Sequence, residues 1–210
     1  MFNLVDLIQS QLSPDTVDQI DKQIGVGNKE QTAVAMQSAI STLISAMAQN
    51  AKKPQGAQSL SSALDKDHDG SILNDMMGFL GGQKKANNPN MLNGSGILGH
   101  ILGNKQEEVA RNISKQSGLD QQKVMSLLIT LAPVVMGFLG KAKKDGNLNP
   151  QTLSTLLNTA SALMGKGQKS KGGADLLSTL LGGGQKKQTA SQQDMIGDAA
   201  RSLLGKFFKK

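Results

Sequence analysis

Three aspartates alternate with other residues in one short stretch, and their side chains are the best placed in this chain to do chemistry. They are Asp65, Asp67 and Asp69; Gly70 follows directly and Ser71 comes next. Acids at positions one, three and five, glycine at six and a backbone carbonyl at seven make up much of an EF-hand-type Ca²⁺ loop. The spacing therefore predicts a Ca²⁺ site.

The twelfth position departs from this pattern. Met76 stands where a bidentate Glu is expected, and Asp75, one residue earlier, would close a shortened loop. The predicted metal ligands are thus Asp65, Asp67, Asp69, Ser71 and Asp75, with Ca²⁺ as the cofactor. A second interpretation is that the carboxylates cap a helix beginning near Ser71, whose dipole favours negative charge there. Three acids so close together repel one another, which favours a cation.

Histidine and cysteine chemistry is scarce in this sequence. His68 and His100 are the two histidines, neither has a second ligand at metal-binding spacing, and there is no Cys. We expect the His68 side chain, in the acidic loop, to face solvent. A nucleophile, a base and an orienting group cannot be brought together from these residues, so we expect no enzyme and no catalytic residues.

Helical patterns surround the acidic loop. A short helix from Ala57 to Leu64 is predicted to lead into it, and a helix from Ile72 to Leu80 to lead out. Further upstream, a helix is predicted to start at Ser13-Pro14 and to end at Gly25.

The next helix is predicted to lie at the centre of the protein. Asn28 can cap it, and the chain carries no charge from Gln31 to Ala51. A helix without a charged face is expected to be surrounded by other helices. In the second half of the chain, Asn104 with Glu107 predicts a capping box for another helix, and Gly118 begins a tight turn after that helix.

The two halves of the chain are similar to each other. Residues 20–64 align without a gap on residues 113–157, with nine identities in 45 positions, against roughly three for ordinary amino-acid usage. The sequence therefore predicts an all-α helical bundle of two tandem related helical units, with no sheet. The second copy has Asn158, Ala160 and Ala162 where the first has its acids, so the fold does not require acids there.

Composition divides the chain further. Glycine, lysine and asparagine mark breaks in the helical pattern. The predicted organisation is a first helical unit at 1–82, a linker at 83–95, a second helical unit at 96–165, and a flexible Gly/Lys-rich tail at 166–210 that carries a terminal amphipathic helix.

Charge is distributed unevenly along the chain. The formal net charge is +7; residues 1–75 contribute −4 and residues 76–210 contribute +11. The basic half favours anionic partners, either nucleic acid or a membrane surface. With no Tyr or Trp for stacking and only two Arg, nucleic acid is the less favoured partner. The terminal helix at Met195–Lys210 could contact a membrane peripherally or a partner helix, and a protein partner or self-association is the remaining expectation.

One segment approaches the length of a membrane span. Val124 to Gly140 has no charge over seventeen positions, which approaches the length of a membrane span. The residues that interrupt its apolar character favour a core helix instead; they are Ser126, Thr130, Pro133 and Gly137. The first residues lack a basic region, and Asp6 breaks their apolar run. The chain is therefore predicted to be cytoplasmic.

Four segments together resemble a known family. They are Leu64–Asp75, with its acidic loop, Gly96–Gly103, Ile113–Leu119 and Leu131–Gly137. In these segments, over about residues 15–165, the chain is similar to the YidB-like bacterial family of unknown function (DUF 937). The resemblance implies an all-helical bacterial protein and brings no activity to transfer. The resulting hypothesis is a non-catalytic interaction or structural module with a Ca²⁺-type loop; the alternative is nucleic-acid or anionic-membrane binding through the basic half.

Overall fold

The computed structural model describes residues 13–75, 78–79 and 92–169, apart from the side chains of Asp75 and of residues 165–169. The helices, in chain order, are α1 (Pro14–Ile24), α2 (Lys29–Asn50), α3 (Pro54–Lys66), α4 (Gly94–Leu102), α5 (Gln106–Ser117), α6 (Gln121–Asp145) and α7 (Pro150–Lys169). Short 3₁₀ turns at Ser71–Asp75 and Gly103–Lys105 follow α3 and α4. These residues contain no β-strand, and the predicted all-α class is confirmed.

Local capping signals set several helix ends where the sequence predicts them. Ser13 and Asn28 each accept a hydrogen bond from a backbone N–H in the first turn of α1 and α2. Gly25 and Gly118 end α1 and α5 in the left-handed conformation, with φ of 64° and 76°. Glycine adopts that conformation without steric cost, so both stops are encoded locally.

The predicted capping box at Asn104 is wrong. Gly103, at φ 55°, begins a 3₁₀ turn, and α5 starts at Gln106 without a side-chain cap. The Gln106 side chain instead donates to the Gly103 carbonyl, 3.1 Å away. The turn moves the start of the helix past the residue that would have capped it.

Helices α2 and α6 form the centre of the bundle. α2 packs against α1, α4, α5, α6 and α7, whereas α6 packs against α1 to α5 and the Ser71–Asp75 turn. Leu43 and Ile44 on α2 and Leu127 and Leu128 on α6 are completely buried. The expectation that α2 is surrounded by helices is confirmed.

Helix α6 is also long and apolar enough to cross a membrane, judged by length and composition alone. However, 72% of its most apolar window is buried inside the protein. Burial in the core accounts for this apolar character, as the sequence predicts.

In the two aligned segments, 20–64 and 113–157, the last helix of each packs on the middle helix of the other. α7 lies along α2, α3 lies against α6, and α3 and α7 contact each other. The aligned pair Leu64 and Leu157 is buried in both copies, as is the pair Ile20 and Ile113. The two halves are thus interleaved, and their origin by duplication stays a prediction.

The described residues up to Lys169 belong to one compact unit. α4 begins at Gly94, inside the predicted linker, and α7 continues through the first four residues of the predicted tail. Most of the linker, the N-terminal segment 1–12 and the terminal helix at 195–210 lie outside the described residues. The proposed division into units and a tail is therefore still a prediction.

Candidate functional site

The acidic stretch begins inside a helix. α3 extends to Lys66, two residues beyond the predicted end at Leu64, so Asp65 lies in its last turn. Asp67 is the C-cap residue, and its backbone N–H donates to the carbonyl of Ala63. An EF-hand-type loop would place the first ligand after the helix; here the helix carries that residue on its own surface.

Asp65 forms an ion pair with Lys143 of α6, 78 residues later in the chain. The Asp65 side chain is 61% exposed, whereas that of Lys143 is only 13% exposed. This lysine neutralises an aspartate that the sequence assigned to a metal ion. The contact ties the end of α3 to the last turns of α6.

Asp69 caps the turn that follows it. Its Oδ1 accepts a hydrogen bond from the backbone N–H of Ser71 at 3.0 Å. Hydrogen bonds from the Ser71 side chain and backbone lower the pKa of Asp69, and the positive charge of Lys144 lowers it further. Asp69 therefore caps the Ser71–Asp75 turn, as the second interpretation expects of this residue.

Gly70 makes the sharp turn that the sequence predicts. Its φ is +90°, and a Cβ placed there would lie 2.8 Å from the Cβ of Lys141. Both the conformation and the lack of space require glycine. The turn brings the following residues directly onto α6.

Two glycines on α6 receive the loop. A Cβ on Gly140 would lie 1.6 Å from the carbonyl oxygen of His68, and one on Gly137 would lie 2.4 Å from Cγ2 of Ile72. The loop backbone therefore approaches the helix backbone more closely than any side chain would allow. We call this contact the loop–helix clasp: residues 65–73 on one side, and Gly137, Gly140 and Lys143 on the other.

The clasp buries His68, contrary to the expectation of a solvent-facing side chain. Only 4% of His68 is exposed, and its Nδ1 has no hydrogen-bond partner among the described residues. Burial lowers the pKa of His68, partly opposed by the negative charge of Asp67. The imidazole is therefore held neutral at pH 7. The close approach at Gly140 explains the burial, because it draws the loop onto the helix.

The predicted metal ligands are only partly brought together. Asp65 faces Lys143 and Asp69 faces the Ser71 backbone, while the side chain of Asp75 lies outside the described residues. Within residues 13–75, 78–79 and 92–169, no group of three or more His, Cys, Asp or Glu side chains is arranged to hold a metal ion. Ca²⁺ binding stays a prediction.

The sequence also contained a signal for the other side of the clasp. Gly137, Gly140 and Lys143 recur every third residue, which places them on neighbouring turns along one side of a helix. Small residues at that spacing allow a backbone to approach. The pattern does not say which element approaches, nor that Lys143 pairs with an acid.

We expect Gly140→Ala to destabilise the protein by about 3 kcal/mol or more, because the new methyl group collides with main chain that cannot move aside cheaply. Gly99→Ala is the matched control. Gly99 lies inside α4 with only the Gln106 side chain nearby, at 3.8 Å, so alanine should be neutral or stabilising by up to about 1 kcal/mol. Urea denaturation followed by circular dichroism measures both. Equal stabilities of the two variants would contradict the clasp.

Comparison with known proteins gives one family. A family model described as "Bacterial protein of unknown function (DUF937)" matches residues 6–142. No curated protein and no solved structure matches the chain. The matched region runs from before α1 to the last turn of α6, and it includes the loop and both glycines of the loop–helix clasp but ends one residue before Lys143. The chain belongs to this bacterial family of unknown function.

Proposed function

We propose that this protein is a non-catalytic interaction or structural module. The observation that carries the proposal is the use made of its acidic loop. Asp65 pairs with Lys143 of α6, Asp69 caps the turn inside the loop, and the His68 side chain is buried where the loop backbone meets α6. Side chains used in this way stabilise the position of the loop on the protein surface, and they are not available to bind a substrate.

The buried and paired aspartates of α1 support the same proposal. Asp21 is buried, and its carboxylate accepts hydrogen bonds from the Thr32 hydroxyl at 2.6 Å and the Asn28 N–H at 3.2 Å. Asp18 pairs with Lys22 and Lys29, whose hydrogen bonds lower its pKa. These contacts join α1 to the start of α2. A buried carboxylate so fully engaged serves the fold.

In-cell photo-crosslinking tests the proposal. A benzophenone amino acid is placed at one exposed position on each of three faces: Gln58 on α3, Glu108 on α5 and Thr155 on α7. A module with a defined partner should give a discrete crosslinked species of fixed mass from one face and none from the others. The mass is read by immunoblotting and mass spectrometry.

Two results would contradict the proposal. One is the absence of a discrete product from every face; the other is the same diffuse set of products from all three. The face that gives no product is the internal control for nonspecific capture.

Ca²⁺ binding by the acidic loop is the second candidate. Gly70 takes the positive φ that the sixth position of such a loop needs. Asp65 would have to release Lys143 before serving as a ligand, so a cation and the lysine compete for one carboxylate. Binding should therefore be weak, with a dissociation constant of about 10⁻⁴ M or higher.

Isothermal titration with Ca²⁺ tests this candidate. We expect Asp67→Ala to abolish the heat of binding and Lys143→Met to strengthen binding, because the competing cation is gone. Glu108→Ala, an exposed acid on α5, is the control and should change nothing. Absence of heat, or heat that persists in Asp67→Ala, would reject the site.

Binding of nucleic acid or an anionic membrane is the alternative, and the charge distribution favours it. The described residues hold fourteen basic and twelve acidic side chains, so most of the net charge of +7 lies in the rest of the chain. Binding of this kind would be carried mainly by residues outside the described fold.

The alternative predicts a steep salt dependence, because basic residues release counterions from a polyanion. Duplex DNA and vesicles containing phosphatidylglycerol are the probes, with salt raised from 50 to 200 mM in binding titrations. The control is the chain ending at Lys169, which should bind more weakly. Salt-insensitive binding, or none, would reject this alternative.

A further inference from the structure

Helices α1 and α2 form the two walls of an open groove. Its volume is about 410 Å³, within the range of about 300–1,000 Å³ that is usual for binding sites. Pro14 and Val17 of α1 and Ala33 of α2 give the groove an apolar surface. Pro14 and Ala33 are exposed, so an occupant of the groove contacts them directly and removes apolar area from water.

An exposed hydrophobic side chain extends this apolar surface. Val34 follows Ala33 on α2 and is 45% exposed; it is one of two large hydrophobic side chains that are exposed in the described part of the fold. A single exposed valine is ordinary, but this one stands beside a residue that lines a groove. We call this surface the α1–α2 groove: residues 14–18 on one side and 29–34 on the other.

Carboxylates stand on both walls of the α1–α2 groove. Asp15 and Asp18 belong to α1, and Glu30 belongs to α2. Between residues 14 and 32 the chain has four acidic and two basic side chains, although the formal net charge of the whole chain is +7. The groove therefore lies in an acidic region of a basic protein, and this region attracts cations.

Two of these carboxylates have no cation of their own within the described ranges. Asp18 pairs with Lys22 at 2.7 Å and with Lys29 at 2.6 Å. One acid thus uses both lysines of the region. Asp15 and Glu30 form no ion pair with any described residue, so each has a negative charge that a partner can neutralise.

Helix dipoles account for the positions of Asp15 and Glu30, but they do not use up the carboxylate oxygens. Each acid lies in the first turn of its helix, where the positive end of the dipole stabilises negative charge. Both residues are exposed, so their oxygens can accept a hydrogen bond from another molecule. An ammonium or guanidinium group forms a charge-assisted hydrogen bond with such an acceptor.

We infer that the α1–α2 groove binds a segment of another protein in which an apolar side chain stands beside lysine or arginine. The apolar side chain contacts Pro14 and Ala33, and the cation pairs with Asp15 or Glu30. An acidic segment is repelled by the same carboxylates, and a neutral segment gains only the apolar contact. Charge therefore selects among the occupants that would fit. This inference rests on the proposed interaction function and gives the chemistry of the partner.

Titration of the isotope-labelled full chain with three short peptides, followed by NMR, is the experiment. Each peptide has two adjacent leucines, flanked on both sides by lysine, by glutamine or by glutamate. We expect the lysine peptide to bind and to shift the amide signals of α1 and of the start of α2. The glutamine peptide should bind about threefold more weakly or worse, and the glutamate peptide more weakly still. Added salt should weaken the binding of the lysine peptide alone.

Substitutions in the groove test the residues that we assign. Asp15→Asn and Glu30→Gln remove one charge each and keep the size of the side chain. Each should weaken the lysine peptide about two- to fivefold and leave the glutamine peptide unchanged. Ala33→Gln places a longer polar side chain in the groove and should weaken both peptides. Glu108→Gln removes an exposed acid from α5; it is the matched control and should change neither. Circular dichroism confirms that the variants fold.

Three results overturn the inference. They are the absence of shifts in α1 and α2 up to millimolar lysine peptide, equal affinities for the three peptides, and lysine-peptide binding that is unchanged when both Asp15 and Glu30 are neutralised.

A benzophenone amino acid at Val34 adds a fourth face to the in-cell crosslinking and separates this inference from the proposed function. A discrete product from Val34 that weakens when Asp15 and Glu30 are neutralised supports both. A discrete product from another face, with no peptide binding at the groove, overturns the inference and leaves the proposed function standing.

Discussion

The structure depends on the packing of α2 against α6, because every other helix of the described chain docks on one or both of them. Each central helix has partners on several sides, and each is uncharged over its middle, from Gln31 to Asn50 on α2 and from Val124 to Gly140 on α6. Charges are displaced to helix ends and connecting turns. That constraint decides where chemistry can occur: ionisable groups meet at the ends of helices, and the loop–helix clasp is such a meeting.

Features set by neighbouring residues could be read from the sequence. The caps at Ser13 and Asn28 and the stops at Gly25 and Gly118 involve atoms within a few residues, and the all-α class follows from apolar periodicity. The prediction of a capping box at Asn104 was wrong because a competing arrangement is equally local. A 3₁₀ turn competed for the same residues, and both arrangements satisfy backbone donors, so residue type alone does not separate them.

The candidate site was predictable on one side only. The alternating aspartates and the turn at Gly70 are local, and the cap formed by Asp69 is local too. The lysine that forms an ion pair with Asp65 comes from α6. The burial of His68 likewise depends on the backbone of α6, more than seventy residues away in the chain. The expectation of a cation came from three uncompensated acids. Lys143 of α6 brings a positive charge to the loop. The repulsion between the aspartates, which favoured a metal ion, is therefore reduced even when no metal is bound.

The proposed duplication relates the clasp to helix α7. In the first copy, helix α3 stops at Lys66 and the chain turns onto α6; in the second, α7 continues through the matching positions. There Asn158 and Ala162 are exposed in place of two acids, and Ala160 is buried in place of the third. One substitution pattern thus has two consequences. In one copy the acids flank the turn at Gly70 that closes the loop onto α6, and in the other uncharged residues stand in a helix that continues without a turn.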